Sequence, residues 1–175
     1  LQMYGTTQDI TDVWETQHHL RQLSRSVEQS PATVVITDLA GAIEYVNPKF
    51  TETTGYTIDE VLGKNPRVLK SGETPGAAYK AMWDTIASGK EWRGVFHNRR
   101  KDGSLYWESA SISPITDADG VITNFVAVKE DITSRKMSEL AVEESEAKYR
   151  GLVEGTTMGL FINQGMKIVY VNPAA

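Results

Sequence analysis

The chain has 175 residues, 40% of them hydrophobic and 23% charged, and carries a net charge of −5. It is too apolar for a disordered chain, and its acidity, with only short Lys/Arg clusters, argues against a nucleic-acid footprint. It has no cysteine, which removes disulfides, thiolate nucleophiles and Cys-ligated metals. No apolar run reaches the roughly 18 residues of a membrane span and no signal peptide opens the sequence. The expected compartment is therefore the cytoplasm, for the chain itself or for a piece of a longer, membrane-anchored protein.

In chain order the first notable feature is Asp-Ile-Thr at residues 9–11, which returns at residues 131–133. Tyr-Val-Asn-Pro stands at residues 45–48 and again at 170–173. The two spacings, 122 and 125 residues, are too long for a solenoid and predict tandem domains. The organisation this implies is a domain tail over 1–11, a linker helix over 12–30 and a complete domain over 31–133. A second linker helix over 134–155 and the beginning of a further domain over 156–175 follow. Residues after about 155 are expected to pack irregularly or to pair with a neighbour.

Each Asp-Ile-Thr leads into a helical stretch. Thr11 and Thr133 stand where N-caps belong, with Asp12 and Glu15 near the positive end of the first helix. Val13, Leu20 and Val27 recur every seven residues, with Gln17 and Ser24 between them; Met137, Leu140, Glu144 and Ala147 form a similar stripe. Such stripes fit a dimeric coiled coil or a helix lying on its own sheet. Either arrangement gives a rigid element between domains.

Within the complete unit, β-branched residues 33–38 predict a strand, the DLAG turn follows, and residues 42–46 return as a second strand. Asn47 as N-cap and Pro48 at the first helical position open a short helix that Gly55 ends. Thr57 and Glu60 have capping-box spacing, and this turn closes on Gly63. Ala78, Met82 and Ile86 lie at helical spacing in the stretch that ends at Gly89. Residues 91–98, 103–114 and 121–133 are three further strands, the first two joined through Asp102-Gly103. The order β-β-α-α-α-β-β-β predicts an α+β domain: one antiparallel sheet, short helices on one face, and linker helices on either side. Period-two alternation puts Trp92, Gly94, Phe96 and Asn98 on one face, with Tyr106, Glu108, Ala110 and Ile112 beside them. His97 points outward, and Arg99, Arg100 and Lys101 flank the turn in solvent.

The stretches ITDLAGAIEYVNPKFTETTGYTIDEVLGKNPRVLKSG, WRGVFHNRRKDGSLYWESASISPITDADG and the closing DIT resemble a PAS domain with its C-terminal PAC half. Such domains occur in tandem in bacterial sensor kinases and cyclic-di-GMP enzymes. The resemblance implies a five-stranded sheet cupping a ligand or an empty core, with a sensory or dimerising role and no chemistry of its own. GKNPRVLKSG is similar to the flavin-binding signature of LOV light sensors, with Asn65, Arg67 and Leu69 on matching positions. Pro66 stands at the photoactive cysteine position, so a flavin–cysteinyl adduct is excluded. The same region, with NRRKDG and the Trp83 helix, resembles FAD-containing redox PAS domains that lack that cysteine.

The resemblance makes Asn65, Arg67, Trp83, Trp92, Phe96, Asn98 and Glu108 the candidate cofactor-binding residues, with FAD the expected cofactor and FMN or none as alternatives. Asn98 would meet the pyrimidine edge of the ring, Glu108 a ring N–H, and Arg67 a phosphate, while Gly94 leaves room for a flat ring. A polar pair satisfying the hairpin is the other reading of Asn98 and Glu108. A surface salt bridge is that of Arg67, and core packing that of Trp83. No Ser/His/Asp set, metal-ligand cluster or Gly-rich phosphate loop is present, so an enzyme is not expected. The expected role is a sensory input module for redox state or a small ligand. A ligand-free module for dimerisation and transmission is the alternative. Expected partners are a second copy, through the linker helices or the outer sheet face, and a kinase or cyclic-di-GMP output domain.

Overall fold

The computed structural model describes residues 11–155, 158–165 and 167–174, with side chains from residue 14 onward except that of residue 167. The tail predicted over residues 1–11 thus lies outside the described residues except for Thr11, as do the side chains of Asp12 and Val13. The chain divides after Ile132 into two units.

The first unit contains α1 (Thr11–Glu28), β1 (Thr33–Thr37), β2 (Ile43–Val46), α2 (Pro48–Thr54) and α3 (Ile58–Val61). A 3₁₀ turn (Pro66–Leu69), α4 (Gly76–Ala87), β3 (Trp92–Arg99), β4 (Leu105–Thr116) and β5 (Ile122–Asp131) complete it. The strands form one antiparallel sheet in the order β2-β1-β5-β4-β3. The core lies between one face of this sheet and the short helices, where Val35, Phe50, Val61, Leu69, Ile86 and Phe125 are buried together. The α+β class and the element order expected from the sequence are therefore observed, with the 3₁₀ turn as an addition.

Local chemistry sets the helix boundaries. Asn47 caps α2, Pro48 occupies its first turn, and Gly55 ends it at φ 78°, a left-handed conformation that glycine adopts without penalty. In α3 the Thr57–Glu60 capping box forms in both directions. Both sheet edges are partly covered. On the β2 side, Ile43 exchanges backbone bonds with Gly63 (2.8 Å) and Lys64 (2.9 Å). On the β3 side, Lys70 bridges Asn98, and the Thr74 hydroxyl accepts from the His97 N–H at 3.0 Å.

The hairpin turn between β3 and β4 is docked: Arg99 and Lys101 are exposed, as expected, though bonded to other elements, and the expectation that Arg100 stays in solvent is corrected. Arg100 donates to the Thr53 carbonyl and pairs with Asp131 at 2.6 Å. Lys101 donates its backbone N–H to the Thr54 carbonyl at 2.9 Å and its ammonium to Glu60 at 2.6 Å. The Arg100 guanidinium and the Lys101 backbone N–H thus satisfy the last two carbonyls of α2, which no helical N–H reaches. Arg99 likewise donates to the Ser71 carbonyl at 2.9 Å.

Asn47, only 1% exposed, joins three elements through one amide. Its Oδ1 accepts from the N–H groups of Val34 (2.9 Å) and Phe50 (3.3 Å). Its Nδ2 donates to the carbonyls of Ala32 (2.9 Å) and Val27 (3.2 Å), so the last turn of α1 is tied to β1 and to the start of α2.

The second unit holds α5 (Thr133–Glu154), β6 (Phe161–Gln164) and β7 (Lys167–Val171), the two strands forming an antiparallel hairpin. Of the described residues after 155, 161–164 and 167–171 form this regular hairpin. Asn172 repeats the Asn47 arrangement: its Oδ1 accepts from the Leu160 N–H (2.8 Å), and its Nδ2 donates to the carbonyls of Val153 (3.1 Å) and Met158 (3.0 Å).

Two outcomes are expected. Asn47→Ala leaves several buried backbone groups without partners at about 1–3 kcal/mol each and removes a cap worth about 1. A loss of about 3 kcal/mol in urea-monitored unfolding is expected, and one below about 1 kcal/mol would contradict the tie. The bond to Lys101, helped by the Thr57 N–H, holds the Glu60 carboxyl down at about 2. A carboxylate pKa lowered by folding adds stability above its unfolded value, lost as pH falls through the folded one. The Glu60–Lys101 tie should therefore weaken only between about pH 4.5 and 2. An NMR titration of the Glu60 carboxyl checks this, and Lys101→Met should return its midpoint towards the ordinary range.

Candidate functional site

Between the sheet and the helical face lies a cavity of about 320 Å³, at the lower end of the range that holds small ligands. Its sheet wall includes Val35 and Thr37 of β1, Phe96 of β3, Ile112 of β4 and Phe125, Ala127 and Lys129 of β5. The helical wall is Tyr79, Met82, Trp83 and Ile86 of α4, and the rim carries Asn65, Arg67, Lys70 and Lys80. Gly41 closes the wall between the first two strands. A Cβ there would lie 2.7 Å from Asn65 Nδ2 and 3.0 Å from the Trp83 ring, and its φ of 81° is also one that favours glycine.

Four of the seven candidate residues line this cavity. Asn65 also caps the 3₁₀ turn, its Oδ1 accepting from the Arg67 N–H at 3.1 Å. Arg67 is exposed at the rim. Trp83 is half-buried and meets Phe125 edge-on at 5.8 Å between centroids. Phe96 is buried and stacks on Tyr79 at 5.4 Å on the cavity side.

Trp92 is not on the cavity wall. Its ring stacks on Phe96 at 5.0 Å and lies over Gly94, where a Cβ would come within 2.4 Å of the indole. The space that the sequence reserves for a flat ligand at Gly94 is therefore filled by Trp92. The physical reason is local: residues two apart on one strand share a face, so the larger side chain covers the gap beside the smaller.

Asn98 and Glu108 are 5% and 1% exposed and form one network behind the wall. Glu108 Oε2 accepts from Asn98 Nδ2 at 3.0 Å and from Lys129 Nζ at 2.8 Å. Tyr106 donates to Glu108 Oε1 at 3.4 Å. In the register of the sheet, Phe96 faces Glu108, Tyr106 faces Asn98 and Ala110 faces Lys129. Asn98 and Lys129 are thus the diagonal neighbours of Glu108 on either side, within reach of long side chains. Burial, and next the Glu108 charge, push the Tyr106 phenol far above its ordinary value, so it stays a protonated donor. No buried side-chain nitrogen or oxygen among the described residues lacks a partner.

Lys129 is a charged cavity-lining residue that the sequence alone did not single out. It is 7% exposed, pairs with Glu108, and is the member of the network that reaches the cavity. Its signal was present: Phe125 and Ala127 point inward, and alternation carries that face to residue 129. Among the remaining residues, His97 lies on the opposite sheet face, stacked on Trp107 at 4.1 Å, as expected. Asp131, at the end of β5, pairs with Arg100. Among the described residues there is no group of three metal-ligating side chains, and no helix is long and apolar enough to cross a membrane.

Comparison with known proteins agrees with this geometry. A PAS-domain family model matches residues 31–134, and a second PAS-domain model matches residues 147–175. A nitrogen fixation regulatory protein of Klebsiella oxytoca is 36% identical over 118 residues, which are 67% of this chain and 24% of that protein. A blue-light-activated histidine kinase of Brucella canis is 36% identical over 106 residues, 61% of this chain and 22% of that one. The chain thus spans about a quarter of the length of these relatives. A light-oxygen-voltage domain solved in a study of a flavin analogue superimposes with a TM-score of 0.60. It is 29% identical, covering 71% of this chain and 96% of that one.

Removing one partner of a buried ion pair strands the other, which costs about 3–5 kcal/mol, whereas replacing both is often neutral. Lys129→Met is expected to destabilise the first unit by that amount, and adding Glu108→Gln to recover most of it. Urea unfolding of the two single variants and the double variant measures the coupling. Additive losses would contradict the pairing.

Proposed function

Because the chain belongs to the PAS domain family, we propose that residues 31–133 are a sensory input module that senses through the cavity. The multidomain bacterial protein to which it belongs would respond to redox state or a small ligand. The observation that carries this reading is a cavity with an aromatic and aliphatic wall, a cationic rim and a buried charged network at its back.

The residues present fit the flat ring of a flavin. Tyr79, Trp83 and Phe96 offer ring faces, and Arg67, with Lys70 and Lys80, offers charge where a phosphate tail would leave. Asn65 sits at the same rim. A cavity of about 320 Å³ suits the ring head rather than a whole dinucleotide, whose remainder would lie outside. FAD is the cofactor proposed here, and FMN satisfies the same contacts. Bound flavin would supply redox or light-absorbing chemistry, and the lack of cysteine rules out adduct formation with this chain. The chain's own residues would bind and orient the ring and hold the charge network against it. Asn98 and Glu108 would act through Lys129, and Trp92 through Phe96, rather than by direct contact.

Transmission follows from the ties at the ends of the module. The Asn47 amide links the sheet to α1, and the same device at Asn172, together with the second family match, supports a tandem array with boundaries near residues 31 and 133. Leu20, Val27, Met137 and Leu140 are exposed on the linker helices and would form a seam with a second copy. A kinase or cyclic-di-GMP enzyme is the proposed output domain, in keeping with the histidine kinase relative.

A second reading, a ligand-free module for dimerisation and transmission, is favoured by one observation: the Asn98–Glu108–Lys129 network is satisfied internally. Visible spectroscopy separates the two. Flavin binding predicts a yellow preparation that dithionite bleaches, or a colourless one that turns yellow on incubation with FAD or FMN. A preparation that is colourless and takes up neither would overturn the flavin reading.

A further inference from the structure

In a chain of net charge −5, the cavity is lined by Arg67, Lys70, Lys80 and Lys129 and by no aspartate or glutamate. Three of these cations are exposed at the rim, where Lys80 pairs with Asp84 and Lys70 lies over the Tyr79 ring. Lys129 differs from them. It is buried on the central strand of the sheet, its ammonium lies 5.9 Å from the centroid of the cavity-lining Phe96 ring, and Glu108 takes only one of its three N–H donors.

We infer that Lys129 is a counter-ion shared between Glu108 and the inner end of the bound ligand, so that the cavity prefers a ligand head bearing negative charge. The inference rests on the cavity reading proposed above. The four-carbon stem of lysine lets the ammonium turn from one acceptor to another. When it turns, Glu108 keeps its hydrogen bonds from Asn98 and Tyr106, which offset part of the cost of losing its cation; the ligand's charge must supply the rest. Charge at the ligand head thereby competes directly with the cross-strand pair that joins β4 to β5. For a flavin, reduction by an external reductant adds two electrons and one proton, leaving the ring with one negative charge. Positive charge beside the ring favours that state. The reduced head thus draws Lys129 off Glu108, and oxidation returns it.

The test uses the whole chain and lumiflavin, which has no phosphate and so leaves the rim cations out of account. Affinity is measured anaerobically for oxidised and for dithionite-reduced lumiflavin, by tryptophan quenching and by equilibrium dialysis. The wild type is expected to bind the reduced form at least about tenfold more tightly. That ratio corresponds to a rise of about 30 mV in the midpoint of the bound two-electron couple. Lys129→Arg should keep the preference. Lys129→Met combined with Glu108→Gln, which leaves no unpaired buried charge, should lose it while still binding the oxidised form, and Glu108→Gln alone should keep or increase it. An unchanged ratio in the Met/Gln variant would overturn the role of Lys129 and leave flavin binding intact. Failure of the wild type to bind lumiflavin, FMN or FAD in either state would overturn both.

Discussion

The charged pair between Lys129 and Glu108 is the constraint around which the first unit is organised. Two charges with side chains 7% and 1% exposed tolerate an apolar interior only when they are paired and the carboxylate accepts further hydrogen bonds, here from Asn98 and Tyr106. That requirement reaches three strands. Asn98 must come from β3, Tyr106 and Glu108 from β4, and Lys129 from β5, in the one register that makes the first and last of them diagonal neighbours of Glu108. A slip of one residue would turn the whole set to the outer face. The pair therefore specifies the sheet more than it stabilises it, and it delivers a buried cation to the sheet wall of a cavity whose other cations stand at the rim.

A second polar device works at the periphery. The Asn47 amide acts as N-cap, strand anchor and helix tie at once, and it does so where linker helix, sheet and helical face converge. Asn172 makes the corresponding bonds to the carbonyls of Val153 and Met158 and the N–H of Leu160. Short polar side chains are well suited to such junctions, because irregular backbone there exposes donors and acceptors that no ladder satisfies. The two ends of the chain's repeat thus share a mechanism and not only four letters.

Much of this was legible in the sequence because it is written locally. The Asn47-Pro48 start and Gly55 stop of α2, the Thr57–Glu60 box and the Asp102-Gly103 turn each follow from a few adjacent residues. Strand alternation correctly grouped Asn98, Tyr106 and Glu108 on the buried face. What escaped depends on partners distant in sequence. Arg100 and Lys101 read as a solvated turn because their acceptors, Thr53, Glu60 and Asp131, lie 31 to 47 residues away or on another element. Lys129 escaped because a lone lysine in a strand suggests a polar outer face, although its alternation with Ala127 argued otherwise. Trp92 was assigned to the cavity by its face alone. The side chain that covers the Gly94 gap is decided by packing, which alternation does not describe.

The partial cover of the sheet edges has a consequence for folding. Two PAS-type segments in one chain hold each other at high effective concentration. Segments of like pattern can then exchange strands before either is complete, a characteristic failure of repeated domains. In the first unit, residues 63–64 pair with Ile43 at the start of β2, and residues 70–74 with His97 and Asn98 near the end of β3. The ladder open to a nascent neighbour is thus shortened at both edges. The segment between α3 and α4 thereby narrows the opening for misassembly between siblings.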